Sequence, residues 1–296
     1  MATAYKHLDA GAAQLMQSSD LERIRYIQRD RFIEHSAVAA VLSMLDDFVG
    51  RPISVRPPCM ALIGDAGAGK STLLDEFMQR VDKHVDGAGT RRALYSVADA
   101  FPTLQVLQTA LLAALSIPSP LTSYRERWAA DDMIKRAISE LGIRVVIIDE
   151  VQHILNLPRP VRPALWDWIK WISTACRVSV VCAGIPGAEE IVLRERQLQS
   201  RFAVVRLPRW VAGPAFAQFL SAFERSLPLR RPSGLGTQEI QKALLRESQV
   251  KQQVAGVTHG VKQIIESAAI HAIRTGEERI TLPALAAWRH LCANSA

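Results

Sequence analysis

The stretch Gly64-Asp-Ala-Gly-Ala-Gly-Lys70-Ser71 has the spacing GxxxxGK[ST]. Glycines let backbone N–H groups turn inward around phosphate oxygens, a lysine at this position can reach β and γ phosphates, and the following hydroxyl can ligate magnesium. The candidate nucleotide-binding residues are therefore Gly64, Asp65, Ala66, Gly67, Ala68, Gly69, Lys70, Ser71 and Thr72. A plain glycine-rich turn would carry the same letters, but an apolar run (CMALIG) precedes the motif and a helical pattern (STLLDEFMQRV) follows it, which is the context that phosphate binding requires. The complementary acids stand at the end of a second apolar run, RVVIIDE, with Asp149 placed to hold magnesium through water and Glu150 to polarise an attacking water. The competing explanation for this acid pair is a solvated strand end followed by a helix cap. Together the two motifs predict ATP as substrate with Mg2+, hydrolysed to ADP and phosphate, with Ser71 and Asp149 as metal residues and Lys70 and Glu150 as catalytic ones.

Such residues need a sheet to hold them. From Cys59 onward short apolar runs (CMALIG, ALYSV, RVVIIDE, VSVVCAG, AVVRL) alternate with helical patterns, and runs as continuous as VVII suit strands buried on both faces of a parallel sheet. This predicts an α/β fold with a five-stranded parallel sheet. When the catalytic glutamate directly follows the metal-binding aspartate, an extra strand usually separates the phosphate-loop strand from the acidic one; ALYSV alone does not establish that order. Before the sheet, Leu21, Ile24 and Ile27, then Val38, Val41, Leu42 and Leu45, fall at helical spacings with a break near Arg31 to His35. The segment RPISVRPP holds three of the fifteen prolines and reads as a stiff connector. After Pro208 strand signals stop, and helical patterns resume on either side of LPLRRPSGLGT. The expected organisation is an N-terminal helical extension (1–50), a nucleotide-binding core (51–208) and a small helical lid domain (209–296).

Composition narrows the classes. At 296 residues, 49% hydrophobic and 22% charged, the chain is a folded one, not a disordered or fibrous one. No stretch approaches the ~18 apolar residues needed to cross a bilayer, and MATAYKHLDAGAAQ lacks the apolar core of an export signal, so a cytoplasmic protein without a membrane partner is expected. Cys59, Cys176, Cys182 and Cys292 form no CxxC pair, so zinc is not expected. Of the 36 cationic residues eight are Lys and 28 Arg, and the net charge is +7; arginine's planar fork grips phosphate at two points, which is compatible with a polyanionic partner.

The phosphate loop, IIDEVQHIL, VVCAGIPGAEEI, and RQLQSRF followed by LPRW together resemble the AAA+ ATPases of DNA transposition named TniB, relatives of TnsC. The resemblance runs from ERIRYIQRDRFIEH, beginning at Glu22, to AAIHAIRTGEERIT near the end. It implies an αβα sandwich with a helical lid, assembling with ATP as a homo-oligomer, in rings or filaments, around double-stranded DNA without sequence preference. It further implies that Arg201 in QLQSRF is an arginine finger reaching the neighbouring subunit's γ-phosphate, with Arg194 and Arg196 as rivals. Phe32 and Ile33 lie where relatives wall the adenine pocket, a place that simple core packing would equally fill.

DNA contacts in the resembling proteins come from the stretch that here holds Ser123, Arg125 and Arg127, with Lys135 and Arg136 beyond; a solvated helix face is the alternative. A proline-bounded loop, NLPRPVRPALWDW, is a second candidate surface, although its Trp166 and Trp168, with Trp171, fall at the helical spacing of core residues. Two departures from the family pattern stand out. Ile185 occupies the place where relatives often carry a polar γ-phosphate sensor, and AGVTHGVKQII offers Lys262 or His259 where a lid arginine is expected. The implied role is an ATP-dependent regulator of transposition, connecting a TniQ-like target-selection protein to a separate transposase. Alternatives are a helicase loader or replication initiator of the same fold, or an ATP-gated DNA-binding adaptor that hydrolyses little.

Overall fold

A computed structural model of the chain describes residues 5–83, 92–118, 124–190, 199–252 and 254–289. The five apolar runs each form a strand: Cys59–Ile63 (β1), Ala93–Val97 (β2), Val145–Asp149 (β3), Ser179–Gly184 (β4) and Phe202–Arg206 (β5). All pair in parallel, in the order β2-β3-β4-β1-β5. Met60 stands opposite Val181 on one side and Ala203 on the other, and Val146 faces Val180 and Leu94. β4 thus separates β1 from β3, the order that accompanies an adjacent Asp-Glu pair, and β2 takes the edge beside β3.

The central strands read as unbroken apolar runs because both of their faces are covered. Every residue of β1, β3 and β4 is buried. Alternate residues (Ala61 and Ile63, Val146 and Ile148, Val180 and Cys182) join one cluster with Leu107 and Leu111 of helix Leu104–Ala114, Ile134 and Ile138 of helix Tyr124–Glu140, and Ile169 of helix Arg162–Ala175. Trp166 and Trp168 are buried in that cluster and Trp171 packs against it, so these rings serve the core.

By its packing the chain divides into two compact units. The sheet unit comprises Val38–Asp65 and Lys70–Leu207; the helical unit comprises the chain up to Ala37, the loop residues Ala66–Gly69, and Pro208 onward. In the helical unit, Phe216, Phe219 and Phe223 line one face of helix Pro214–Arg225 and share a core with Val261, Ile264 and Ile265 of helix Thr258–Arg274. Ile27, at the end of helix Asp20–Ile27, is fully buried in the same core. That N-terminal helix is started by a reciprocal cap in which Ser19 and Glu22 satisfy each other's backbone N–H groups. Among the described residues no helix is long and apolar enough to cross a membrane.

Candidate nucleotide site

The chain leaves β1 at Ile63 and enters helix Lys70–Lys83 directly after the glycine-rich loop, so the first N–H groups of that helix, with the positive end of its dipole, face the loop. Gly64 N–H donates to the Gly184 carbonyl at 3.1 Å, tying the loop's start to the end of β4. Gly67 and Gly69 have φ of 78° and 96°, values open to glycine and strained for other residues. A side chain at Gly67 would also come within 2.8 Å of His259 Cβ, and the His259 N–H donates to the Gly67 carbonyl at 2.9 Å. At Gly69 a Cβ would meet nothing within 4 Å. Ala66 and Thr72 are exposed.

Lys70 is only 6% exposed. Its Nζ donates to the carbonyls of Gly64 at 2.7 Å and Asp65 at 3.1 Å. Burial pulls the ammonium below the usual lysine range, opposed by the charges of Asp149, Glu150 and Asp65. Ser71 Oγ donates to Asp149 Oδ2 at 3.1 Å, so the loop hydroxyl and the acid of the second motif meet although 78 residues separate them. Asp149 is 1% exposed, which removes the solvated-strand-end explanation for it. Its other oxygen accepts the Glu150 N–H at 2.8 Å.

Glu150 leaves the strand with φ 58° and ψ 33°, a left-handed conformation that costs a non-glycine residue of the order of 1 kcal/mol. It makes no side-chain cap bond to the 3-10 turn Val151–Asn156 that follows. This turn swings Glu150 out of the sheet while Asp149 stays within it.

Two residues join the site that sequence reasoning did not single out. Tyr95, in β2, donates its hydroxyl to Asp149 Oδ2 at 2.9 Å, and burial together with the Asp149 charge pushes the phenol well above its ordinary range. Gln152 donates its side-chain amide to Glu150 Oε2 and accepts the Ile185 N–H at 3.3 Å. The only signal for Tyr95 was a polar-tipped ring in a strand beside the acidic one, and for Gln152 its position two residues after Glu150.

The donor set suits a small, hard divalent cation: a serine hydroxyl and a carboxylate, converging at hydrogen-bond distance beside a buried lysine at the end of the glycine-rich loop. A phosphate chain in that loop would meet helix N–H groups and a partly desolvated ammonium.

Arg201 immediately precedes β5, its carbonyl accepting the Cys59 N–H at 2.8 Å. It therefore lies at the start of the parallel strands, about 13 Å of strand rise away from the end where the phosphate loop leaves β1. Its Nη1 is buried and has no hydrogen-bond partner among the described residues. Arg194 and Arg196 lie outside the described residues. Phe32 and Ile33 are half-buried, with Ile33 packed against the core of the helical unit. In that unit Lys262 pairs with Asp30 at 2.8 Å, and His259 Nε2 meets Gln263 at 2.8 Å. The Ile185 side chain is 37% exposed and only its backbone N–H enters the polar network.

Ser123 lies outside the described residues; Arg125 and Arg127 fall within helix Tyr124–Glu140, their side chains likewise outside the description, and Lys135 and Arg136 on the same helix are exposed.

The fold is that of AAA+ ATPases. The chain is similar to the Aeropyrum pernix Orc1 protein solved in complex with DNA, with a TM-score of 0.60 and 17% identity over 90% of this chain and 69% of that one. It is also similar to the ORC2 protein of the same organism in ADPNP-ADP complexes (TM-score 0.61, 15% identity, 88% and 70% covered) and to Cdc6p of Pyrobaculum aerophilum (0.60, 15%, 86% and 67%). Comparison with curated proteins gives no match. Residues 23–212, which include the loop, both acids, Gln152 and Arg201, match the family described as bacterial TniB protein, and the chain belongs to that family.

Proposed function

We propose that this chain is an ATP-dependent regulator of DNA transposition that assembles in several copies on target duplex DNA, connects target choice to a separate transposase, and is released when ATP is hydrolysed. The observation that carries this reading is the meeting of Ser71 and Asp149 at 3.1 Å, with Glu150 turned out beside them, in a chain of the TniB family. Gly64 to Thr72 hold the phosphates, and Lys70 exchanges its carbonyl partners for phosphate oxygens. The adenine wall is assigned to Phe32 and Ile33 by resemblance to the family. Ser71 and Asp149 hold Mg2+, which when bound neutralises charge on the phosphates. Glu150 orients the attacking water and accepts its proton. Arg201, at the end of the sheet opposite its own chain's phosphate loop, serves a neighbouring copy.

DNA is held through phosphates by the segment containing Ser123, Arg125 and Arg127, independently of sequence. The similarity to an Orc1 protein solved with DNA supports a nucleic-acid role for the fold. The partners are a transposase and a TniQ-like target-selection protein. Phosphate release measured with and without duplex DNA, beside electron microscopy with a non-hydrolysable ATP analogue, tests the reading. Stimulated release and nucleotide-dependent assemblies on DNA are expected, and a chain that stays monomeric in all conditions defeats it. A second reading, an ATP-gated adaptor that hydrolyses little, draws on the apolar Ile185 at the end of β4; release near background with assembly intact selects it.

A further inference from the structure

The turn after β3 and the end of β4 are joined by one side-chain amide. Gln152 Nε2 donates to Glu150 Oε2, and Gln152 Oε1 accepts the Ile185 N–H at 3.3 Å. A backbone N–H can only donate, so it fixes the amide's orientation, and the remaining NH2 end is left facing the carboxylate. Two local features make the contact. The left-handed Glu150 (φ 58°) folds the chain back into the 3-10 turn that carries Gln152, and His153 Nδ1, 2.9 Å from the Ala98 carbonyl, anchors the same turn on its other side. At the end of β4, Gly184 leaves room: a Cβ there would stand 3.0 Å from Gln152 Oε1 and 2.8 Å from Ala188 Cβ.

A glutamate with three free torsions must be restrained if its carboxylate is to meet a water in one place, and Ile185 has no polar side chain with which to do so. We propose that Gln152 is a positioning residue for Glu150, tying its carboxylate to the end of β4 and leaving Oε1 to face the attacking water. The inference rests on the hydrolysis reading above and adds a residue to it. The tie also links catalysis to the sheet: Gly64, the first residue of the phosphate loop, donates to the carbonyl of Gly184, the residue next to Ile185, so a displacement of the β4 end reaches the phosphate loop and the catalytic carboxylate together.

The test uses the full chain with duplex DNA and ATP. Gln152→Leu is expected to lower kcat about 10- to 100-fold with KM for ATP within about twofold, because the carboxylate is misplaced while the phosphate cradle is untouched. Gln152→Glu replaces the donating amide by a second carboxylate beside Glu150 and is expected to lower kcat at least as much, again with KM for ATP within about twofold. An unaltered kcat in Gln152→Leu overturns the proposal. A measurement without turnover separates it from the hydrolysis reading. The side-chain amide NMR signals of Gln152 are expected to move when Glu150 is changed to Gln, because the carboxylate they donate to is lost. Amide signals indifferent to that substitution overturn the tie, whereas amide signals that move in a chain that hydrolyses no ATP uphold the tie and remove the reading it was built on.

Discussion

At the scale of single residues, the site is governed by the partners that each buried charge keeps. Lys70 is nearly out of water, and burial lowers its pKa against the pull of three acids; two loop carbonyls accept its hydrogen bonds. Lys70→Ala is therefore expected to weaken ATP binding by at least about 100-fold by titration calorimetry, since a buried charge-assisted contact is lost; unchanged affinity would remove the phosphate-loop assignment. Tyr95→Phe deletes one donor to a buried carboxylate and is expected to cost about 1.5–3 kcal/mol of stability in urea unfolding. The loop was legible in the sequence because Gly67, Gly69, Lys70 and Ser71 are each dictated by local geometry. Tyr95 and Gln152 were not: each touches its acid through a placement that a linear pattern does not encode, one across a strand pairing and one around a left-handed turn.

At the scale of elements, the strands were legible for a physical reason: burial on both faces leaves an unbroken apolar run, and β1, β3 and β4 are such runs. Their order was only constrained, because a parallel sheet is paired by crossovers whose destination the local sequence does not specify. Less visible still was the fastening of helix Asp20–Ile27. Arg23, fully buried, donates to the Pro228 carbonyl at 3.0 and 2.7 Å and forms a two-pronged pair with Glu278, so an amphipathic pattern concealed an interior cation. Burial by itself would raise the Glu278 pKa, but Arg23, the Arg230 N–H and the Arg230 charge outweigh it and hold the carboxyl below its ordinary value. A depressed folded pKa contributes stability that is fully present above the unfolded value and is lost as pH falls through the folded one. Unfolding midpoints should therefore drop below about pH 4.5 in the parent and drop less in Glu278→Gln, the difference between the two narrowing towards acid. Arg23→Ala strands Glu278 without its main partner and is expected to cost about 3–5 kcal/mol at neutral pH, read from denaturant unfolding.

At the scale of the whole molecule, the question is whether one copy can complete a site alone. The parallel register puts Phe202 beside Cys59, so Arg201 and the phosphate loop leave the sheet at opposite ends of adjacent strands. On the proposed reading Arg201 serves a neighbouring copy, in an interface that repeats head to tail: each copy offers its loop to one neighbour and its arginine to the other. Such a contact makes hydrolysis a property of the assembly. Arg201→Ala should then bind ATP like the parent yet release little phosphate, and Lys70→Ala should also be inactive, for want of nucleotide. Mixed in equal amounts on duplex DNA, the two should regain activity, because a site with intact Lys70 meets an intact Arg201 wherever the copies alternate in the right order. Random mixing makes about one quarter of interfaces competent, so phosphate release near that fraction of the parent rate is expected. A mixture as silent as its components would place the arginine's partner within its own chain, and full activity in Arg201→Ala alone would move the finger to Arg194 or Arg196.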